Sequence, residues 1–328
     1  MDCALSLIRS GHSINRTTRL LRLSRPHIMA KLKRPSTWKD RRLACNRPEK
    51  KAGDEELVND IKKALVEFPS FGYKRIAAIV NRARRKHQKD CVNRKKVYRV
   101  AKQNDLLLKK ATPSLPGQSR DHNGKVSVDR SDERWCSDGF EFKCLNGESV
   151  TVTFVMDCCD REVISFVAKK GKGLPAWMAQ EQVILAVNRR FGSVNNVPNK
   201  LQLLTDNGSA YTAQRTKRLL TALGIEDCKT AVCSPQSNGM AESMVKTLKR
   251  DYLPFIDLMS AETALIALPA MIAKYNHEHP HSALNYLSPV EFRASKGLID
   301  ISPDECAEAP VCLMPGFMVN ETAAGVMA

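Results

Sequence analysis

The sequence predicts an α/β protein: a mixed sheet flanked by helices, preceded by all-α units of helix-turn-helix type. Three observations predict it. From residue 132 three successive stretches carry strand patterning, and later strands alternate with helical stretches. Before residue 110 the apolar residues recur only at helical spacing. Between these regions the charge changes sign. Residues 1–130 hold 33 Lys and Arg against 12 Asp and Glu, the remainder 19 against 23, so all the excess in the net charge of +17 lies at the N-terminal end.

Along residues 4–34, Ala4, Leu5, Ile8, Ile14, Leu20, Leu21, Leu23 and Ile28 fall at gaps near three and four. Gly11 interrupts them, and Ser24 is placed to cap a helix opening on Arg25-Pro26. Residues 35–53 are polar and basic, with Pro35, Pro48 and Gly53, so 1–50 reads as a helix-turn-helix-like segment with a basic linker. A second helical unit, expected to be a DNA-binding domain, covers 51–110. Leu57, Ile61, Ala64, Leu65 and Phe68 mark one helix face, and Pro69 ends it. Another helix starts at Tyr73, and Asn93 caps a third from Arg94 to about Asn104. A basic last helix of three suits major-groove docking, which makes Arg94, Lys95, Lys96 and Arg99 candidate DNA contacts. A plain bundle with a wet basic face is the alternative.

Residues 111–131 carry two prolines, two glycines and no periodicity, and mark the boundary of a region 132–296. There, strands are expected at 134–142, 149–156, 162–168, 201–205 and near Cys228–Cys233. Helices are expected at 175–191, 211–223, 238–252 and 261–276. Val150, Val152, Phe154 and Met156 alternate as in a half-buried strand. From Gly297 there is no Lys or Arg but five acids, and 297–328 is expected to be an acidic, mobile tail.

No apolar run is long enough for a transmembrane helix or a signal peptide, which points to a cytosolic protein without membrane contact. Eleven cysteines include no C-x-x-C pair, and Cys158 and Cys159 are adjacent, so reduced thiols fit better than disulfides or zinc. The lopsided positive charge points to a polyanion such as DNA, bound by phosphate neutralisation.

Metal-assisted phosphoryl chemistry needs converging hard oxygen ligands. Asp206 and Glu242 are separated by 242 − 206 − 1 = 35 residues, but Asp105 and Glu141 share that spacing, so context must decide. Asp206 ends the apolar stretch Leu201–Thr205, at the carboxyl end of a strand, where α/β sheets bind ligands. Glu242 lies near the start of a helix behind a loop of Ser, Pro, Gln, Asn and Gly. At about 100° per residue, Lys246 and Lys249 fall about 40° and 20° from Glu242. They are candidate phosphate contacts, with an ordinary surface ion-pair ladder as the alternative. Asn207, Ser237 and Asn238, in the two loops, are further candidate DNA contacts.

Three stretches, Trp135-Cys-Ser-Asp138-Gly-Phe, Leu203-Leu-Thr-Asp206-Asn-Gly-Ser209 and Ser234-Pro-Gln-Ser-Asn-Gly-Met-Ala-Glu242-Ser, resemble the DDE motifs of bacterial insertion-sequence transposases of the OrfB type. The branch is the IS-three group, close to IS-two, related to retroviral integrases. Tyr275-Asn276 with His279-Pro280-His281-Ser282-Ala283-Leu284 and Ser288-Pro289 resembles that family's C-terminal core signature. Phe71-Gly72-Tyr73-Lys74-Arg75-Ile76 and Val97-Tyr98-Arg99 resemble its helix-turn-helix segment.

The resemblance implies an RNase H-like, integrase-type core with Asp138, Asp206 and Glu242 as catalytic and metal-binding residues. They would hold two Mg²⁺ ions, with Mn²⁺ able to substitute. It implies DNA transposition by metal-dependent cleavage and strand transfer, with Lys249 contacting terminal DNA. The implied partners are double-stranded DNA (terminal inverted repeats and target), further copies in a synaptic complex, and an upstream OrfA-type partner or fusion. A non-catalytic DNA-binding regulator on an inactive core is the alternative function.

Other chemistry-bearing residues have plainer readings. Asp157 and Asp160 fall where one strand turns into the next, a common place for Asp. His277, His279 and His281 flank Pro280 after a helix end and are expected to be structural or DNA-facing rather than zinc ligands. Trp135 and Tyr211 are expected in the core or at its lip.

Overall fold

The computed structural model describes residues 2–35, 54–108, 128–198, 200–229 and 238–299, with the backbone alone at 311–313. The chain divides into two compact units, residues 1–52 and 53–328. In the first, α1 (Asp2–Arg9), α2 (Ile14–Leu20) and α3 (Arg25–Leu32) bury Ala4 and Ile28 completely. Pro26 sits in the first turn of α3, where its missing N–H has no helical partner to lose. Ser24 occupies the cap position, but its hydroxyl makes no capping bond. The linker read at 35–53 lies almost wholly outside the described residues.

The second unit opens with α4 (Asp54–Glu67), α5 (Tyr73–Lys86) and α6 (Arg94–Gln103). α4 begins with three acids and α5 ends with Arg84, Arg85 and Lys86, each charge favourable for its end of the helix dipole. The Asn93 side chain caps α6 by accepting from the Lys95 amide at 2.8 Å. Although the sequence marks a boundary at 111–131, most of which lies outside the described residues, packing runs straight across it. Leu57, Ile61, Phe71, Ile76 and Val97 belong to the same apolar cluster as Tyr252, Leu268 and Tyr275. Arg75–Asp251 at 2.8 Å and Arg82–Glu291 at 2.6 Å reinforce the junction.

The sheet comprises β1 (Arg134–Lys143), β2 (Ser149–Asp157), β3 (Val163–Lys170), β4 (Gln202–Thr205), β5 (Glu226–Lys229) and β6 (Val311–Leu313), in the order β5-β4-β1-β2-β3-β6. β1, β2 and β3 form an antiparallel meander; β4 joins β1, and β5 joins β4, in parallel. β6 pairs in parallel with β3, so the acidic tail supplies a strand that its composition does not announce. The helices are α7 (Ala176–Phe191), α8 (Ser209–Thr212), α9 (Gln214–Ala222), α10 (Gly239–Asp251), α11 (Ala261–Glu278) and α12 (Pro289–Ser295). The single helix expected at 211–223 is two, because Ala213 is extended between α8 and α9. α12, which the sequence pattern did not announce, is fixed by a capping box between Ser288 and Glu291.

Strand alternation divides the core into two layers. Cys136, Phe140, Val152, Phe154 and Met156 face α10 and α11, while Trp135, Val155 and Ile164 face α7 residues Val183, Ala186 and Val187. β2 is not half-buried as its alternation suggests: Thr151 and Thr153 are also buried. The second face is polar yet satisfied. Thr153 Oγ1 donates to Gln182 Oε1 at 2.7 Å, and Ser137 Oγ and Thr153 Oγ1 lie 2.7 and 3.0 Å from the Tyr211 hydroxyl. Tyr211→Phe is expected to cost about 1–2 kcal/mol of unfolding free energy in urea denaturation, because it strips a shared buried partner from these groups. No helix among the described residues is long and apolar enough to cross a membrane.

Candidate active site

β1 and β4 run parallel, with Cys136 opposite Leu204, so Asp138, midway along β1, falls beside Asp206 at the carboxyl end of β4. Both line one cavity of about 350 Å³ with Gly139, Glu141, Gly208 and Tyr211. The backbone orients each acid. Gly139 N donates to Asp138 Oδ1 at 2.7 Å, and Gly208 N to Asp206 Oδ1 at 3.0 Å. Gly208 has a steric reason to be glycine: a Cβ there would stand 2.9 Å from Asp206 Oδ1 and push the carboxylate aside.

Glu242 sits in the first turn of α10, where the helix dipole favours an acid. It does not line that cavity, but its charge reaches Asp138. Burial first, then the negative charges of Asp206 and Glu242, push the Asp138 carboxyl up to about 6, against the opposing pull of the Gly139 amide and the Lys249 ammonium. The three acids therefore form one electrostatic cluster, with Lys249 as the cation acting on Asp138.

Lys249 is held with its Nζ 5.6 Å from the centre of the Phe140 ring. Lys246 Nζ lies 3.6 Å from Glu242 Oε2, with its side chain 77% exposed, a pair that stabilises the helix by only a few tenths of a kcal/mol. As donors, the carboxylates suit a hard cation, and one oxygen of each aspartate is already aimed by a backbone amide. They are not yet converged, since among the described residues no three acidic, His or Cys side chains are close enough to coordinate one ion.

The other candidate contacts are placed variously. Arg94 and Lys95 are exposed at the start of α6, and Asn207 is exposed beside Asp206. Ser237 lies outside the described residues. Two candidates, Arg99 and Asn238, are turned inward, and a third, Lys96, lies near an acid of α4. Arg99 forks onto the buried Asp54 at 2.9 and 3.2 Å, and Lys96 Nζ lies 3.7 Å from the same carboxylate. Arg99 holds α6 to α4, whereas the Lys96 side chain stays 41% exposed. Asn238 is buried and donates to the Ser137 carbonyl at 3.1 Å, bracing the start of α10 against β1 next to Asp138.

The remaining residues have structural roles. Asp157 closes the β2–β3 turn by accepting from the amides of Cys159, Asp160 and Asp132. Asp160 does more than turn the chain: fully buried, it pairs with Arg190 and Arg293. His279 Nδ1 meets the Tyr252 hydroxyl at 2.8 Å, and the His281 ring packs edge-on to Tyr275. Burial holds His281 low, at about 3. The seven cysteines among the described residues are free thiols.

Comparison with known proteins shows the family. Sequence profiles of the integrase core domain match residues 128–235 and 223–289. Transposase InsD for insertion element IS2A/D/F/H/I/K of Escherichia coli is 40% identical over 309 residues, covering 94% of this chain and 100% of that protein. The chain belongs to the integrase-core family of insertion-element transposases. Its sheet is the RNase H-like, integrase-type core, and its activity is DNA transposition by polynucleotidyl transfer. A second relative of the transposase, InsD for insertion element IS2-9 of Escherichia coli strain K12, is also 40% identical, over 94% of this chain and 98% of its own length. Among solved structures, the simian T-cell lymphotropic virus intasome in complex with PP2A regulatory subunit B56 gamma aligns at a TM-score of 0.43 and 16% identity, over 70% of this chain and 76% of its own. The catalytic core domain of BIV integrase aligns at 0.36 and 20% identity, over 51% and 96%.

Proposed function

We propose that Asp138, Asp206 and Glu242 are the transposase's catalytic carboxylates, and that they hold two Mg²⁺ ions, replaceable by Mn²⁺, for cleavage and strand transfer at the ends of an insertion element. The observation that supports this best is that Asp138 and Asp206 line one cavity, each with one carboxylate oxygen held by a backbone amide. When bound, the metal pair would polarise the scissile phosphate and activate the attacking water or DNA 3′-OH. The chain's own part is orientation. The amides of Gly139 and Gly208 fix one oxygen of each aspartate, leaving Oδ2 of each without a hydrogen bond or ion pair among the described residues. Asn238 anchors α10 to β1, so that Glu242 enters at a set height. Lys249 would meet the phosphate backbone beside the acids.

In the same reading, α1–α6 supply DNA capture by helix-turn-helix contacts, because the catalytic region is not itself strongly basic. Joining two element ends requires that both be held together, so a homo-oligomeric synaptic complex follows, with an OrfA-type partner or fusion upstream. The test is metal-dependent nicking or joining of labelled element-end duplexes, wild type beside Asp206→Asn, with the upstream partner supplied. Wild type is expected to cut in Mg²⁺, and the variant to lose about a hundredfold or more of that activity. A wild-type protein that binds ends but fails to cut with every divalent metal tried would return the reading to a DNA-binding regulator.

A further inference from the structure

We propose a second DNA-backbone site in the groove between α5, the start of α6 and the Asn285-Tyr286 turn, one that belongs jointly to the helical unit and the catalytic core. It rests on the DNA reading above and adds where the duplex lies. The groove has a volume of about 290 Å³, and Lys74, Arg85, Arg94, Asn285 and Tyr286 line it.

The basic residues of α5 and α6 differ in whether they carry a counter-charge. Arg75, Arg82, Arg84 and Arg99 each have a carboxylate: Asp251, Glu291, Asp60 and Asp54. Those four arginines assemble the unit and fasten it to the core. Lys74, Arg85 and Arg94 are exposed, make no ion pair among the described residues, and come together on this one groove. Three cations without counter-charges, on two helices and facing a common hollow, suit a run of phosphates.

The opposite wall is a strained turn. Asn285 and Tyr286 both have positive φ, 55° and 65°. Asn adopts that region readily, but a bulky residue seldom does. The turn is held there by Tyr286 N donating to His281 O at 2.7 Å and His281 N donating to Leu287 O at 3.0 Å. Backbone strain of this kind persists where the surroundings enforce it, and it is concentrated at ligand sites. The turn sets an amide and a phenol, both neutral hydrogen-bonding groups, beside the three cations, which is the mixture that contacts phosphate and sugar without reading bases.

The groove is also cross-linked. Arg82 spans its base with Nε and Nη2 each 2.6 Å from the Glu291 carboxylate and Nη1 2.9 Å from the Glu278 carbonyl. The two walls are therefore tied to each other, and a stretch of phosphate backbone seated between them would be registered against the carboxylates of the same compact unit. This also gives work to the stretch from His279 to Pro289, which the catalytic reading leaves unused.

The test is binding of a labelled duplex oligonucleotide to the full chain in EDTA, followed over a range of salt concentrations. The triple variant Lys74→Ala, Arg85→Ala, Arg94→Ala is expected to flatten the slope of log K against log salt by about 2 to 3, near one for each phosphate no longer neutralised. Arg215→Ala, Lys217→Ala, Arg218→Ala removes the same charge from the exposed face of α9, outside the helices assigned to DNA capture, and is expected to leave the slope close to wild type. Equal flattening in both variants would overturn the site, since net charge alone would then explain binding. Asn285→Asp tests the core's wall: it is expected to weaken binding several-fold with an unchanged melting temperature, and wild-type affinity would show that the turn takes no part. Because binding is read without metal, the groove can fail while Mg²⁺-dependent cleavage persists, and the carboxylate assignment can fail while the groove stands.

Discussion

Asp138→Asn is expected to raise the stability of the metal-free transposase at neutral pH by about 2 kcal/mol while abolishing cleavage. The two effects share one cause. In the folded chain, burial and the charges of Asp206 and Glu242 lift the Asp138 carboxyl from its ordinary value of 3.8 to about 6. A carboxyl whose pKa is higher folded than unfolded penalises folding as pH rises. The penalty is absent below about pH 4, where both states are protonated, and complete above about pH 6, where both are ionised. The amide of Asn has no such charge to bury. The gain in melting temperature should therefore be several degrees at pH 7 and should vanish toward pH 4.

Thermal melting in EDTA at both ends of that window measures it. Added Mg²⁺ should stabilise wild type more than the variant, since a ligand that binds only the folded state adds stability in proportion to its affinity. A variant that melts below wild type at pH 7 would mean that burial and the neighbouring acids do not penalise the Asp138 carboxylate.

The second large effect is expected far from the cleavage chemistry. Arg190 on α7 is almost fully enclosed and lies 3.4 Å from Asp132 and 3.2 Å from both Asp160 and Glu162. Arg293 on α12 completes the network, 3.0 Å from Asp160 and 3.2 Å from Glu162. Burial raises the carboxyls of Asp132 and Glu162, and burial with the neighbouring Asp160 raises Asp157 to about 7. Arg190→Met keeps the apolar stem but leaves these acids with too little positive charge. Breaking a buried pair from one side costs about 3–5 kcal/mol, and urea denaturation at neutral pH should show a loss of that size. Mild acidification should recover part of it, because acids with raised pKa values take up protons first. A loss below about 1 kcal/mol would mean that solvent reaches the cluster and screens it.

Where periodicity was strong, the sequence was a good guide to the elements. The alternation of Val150, Val152, Phe154 and Met156 and the helical spacing of Leu57, Ile61 and Ala64 reflect burial against a single layer, a local property. The readings that went astray depend on partners remote in sequence. Thr151 and Thr153 look like a solvent face, but Gln182 and Tyr211 arrive from α7 and α8 to satisfy the Thr153 hydroxyl there. Arg99 looks like a DNA contact until Asp54, 45 residues earlier, takes its guanidinium. Asn238 reads as part of an open loop, yet its amide reaches back to Ser137 across 101 residues. For the candidate site, the strand end before Asp206 and the helix start at Glu242 were visible in the sequence. Their electrostatic grip on Asp138 needed three elements brought together in space.

Phe71, at the head of α5, packs 5.2 Å from the His279 ring and 6.4 Å from that of Tyr252, so the helical unit and the catalytic sheet complete one another's interior. The segment 54–106 is consequently a poor cassette. A chimaera of two related elements spliced within 109–127 would ask two half-interiors with separate histories to interlock. Splicing near residues 52 and 53, where the two compact units divide, leaves that interior whole, and parts exchanged during the spread of such elements should show their seams there.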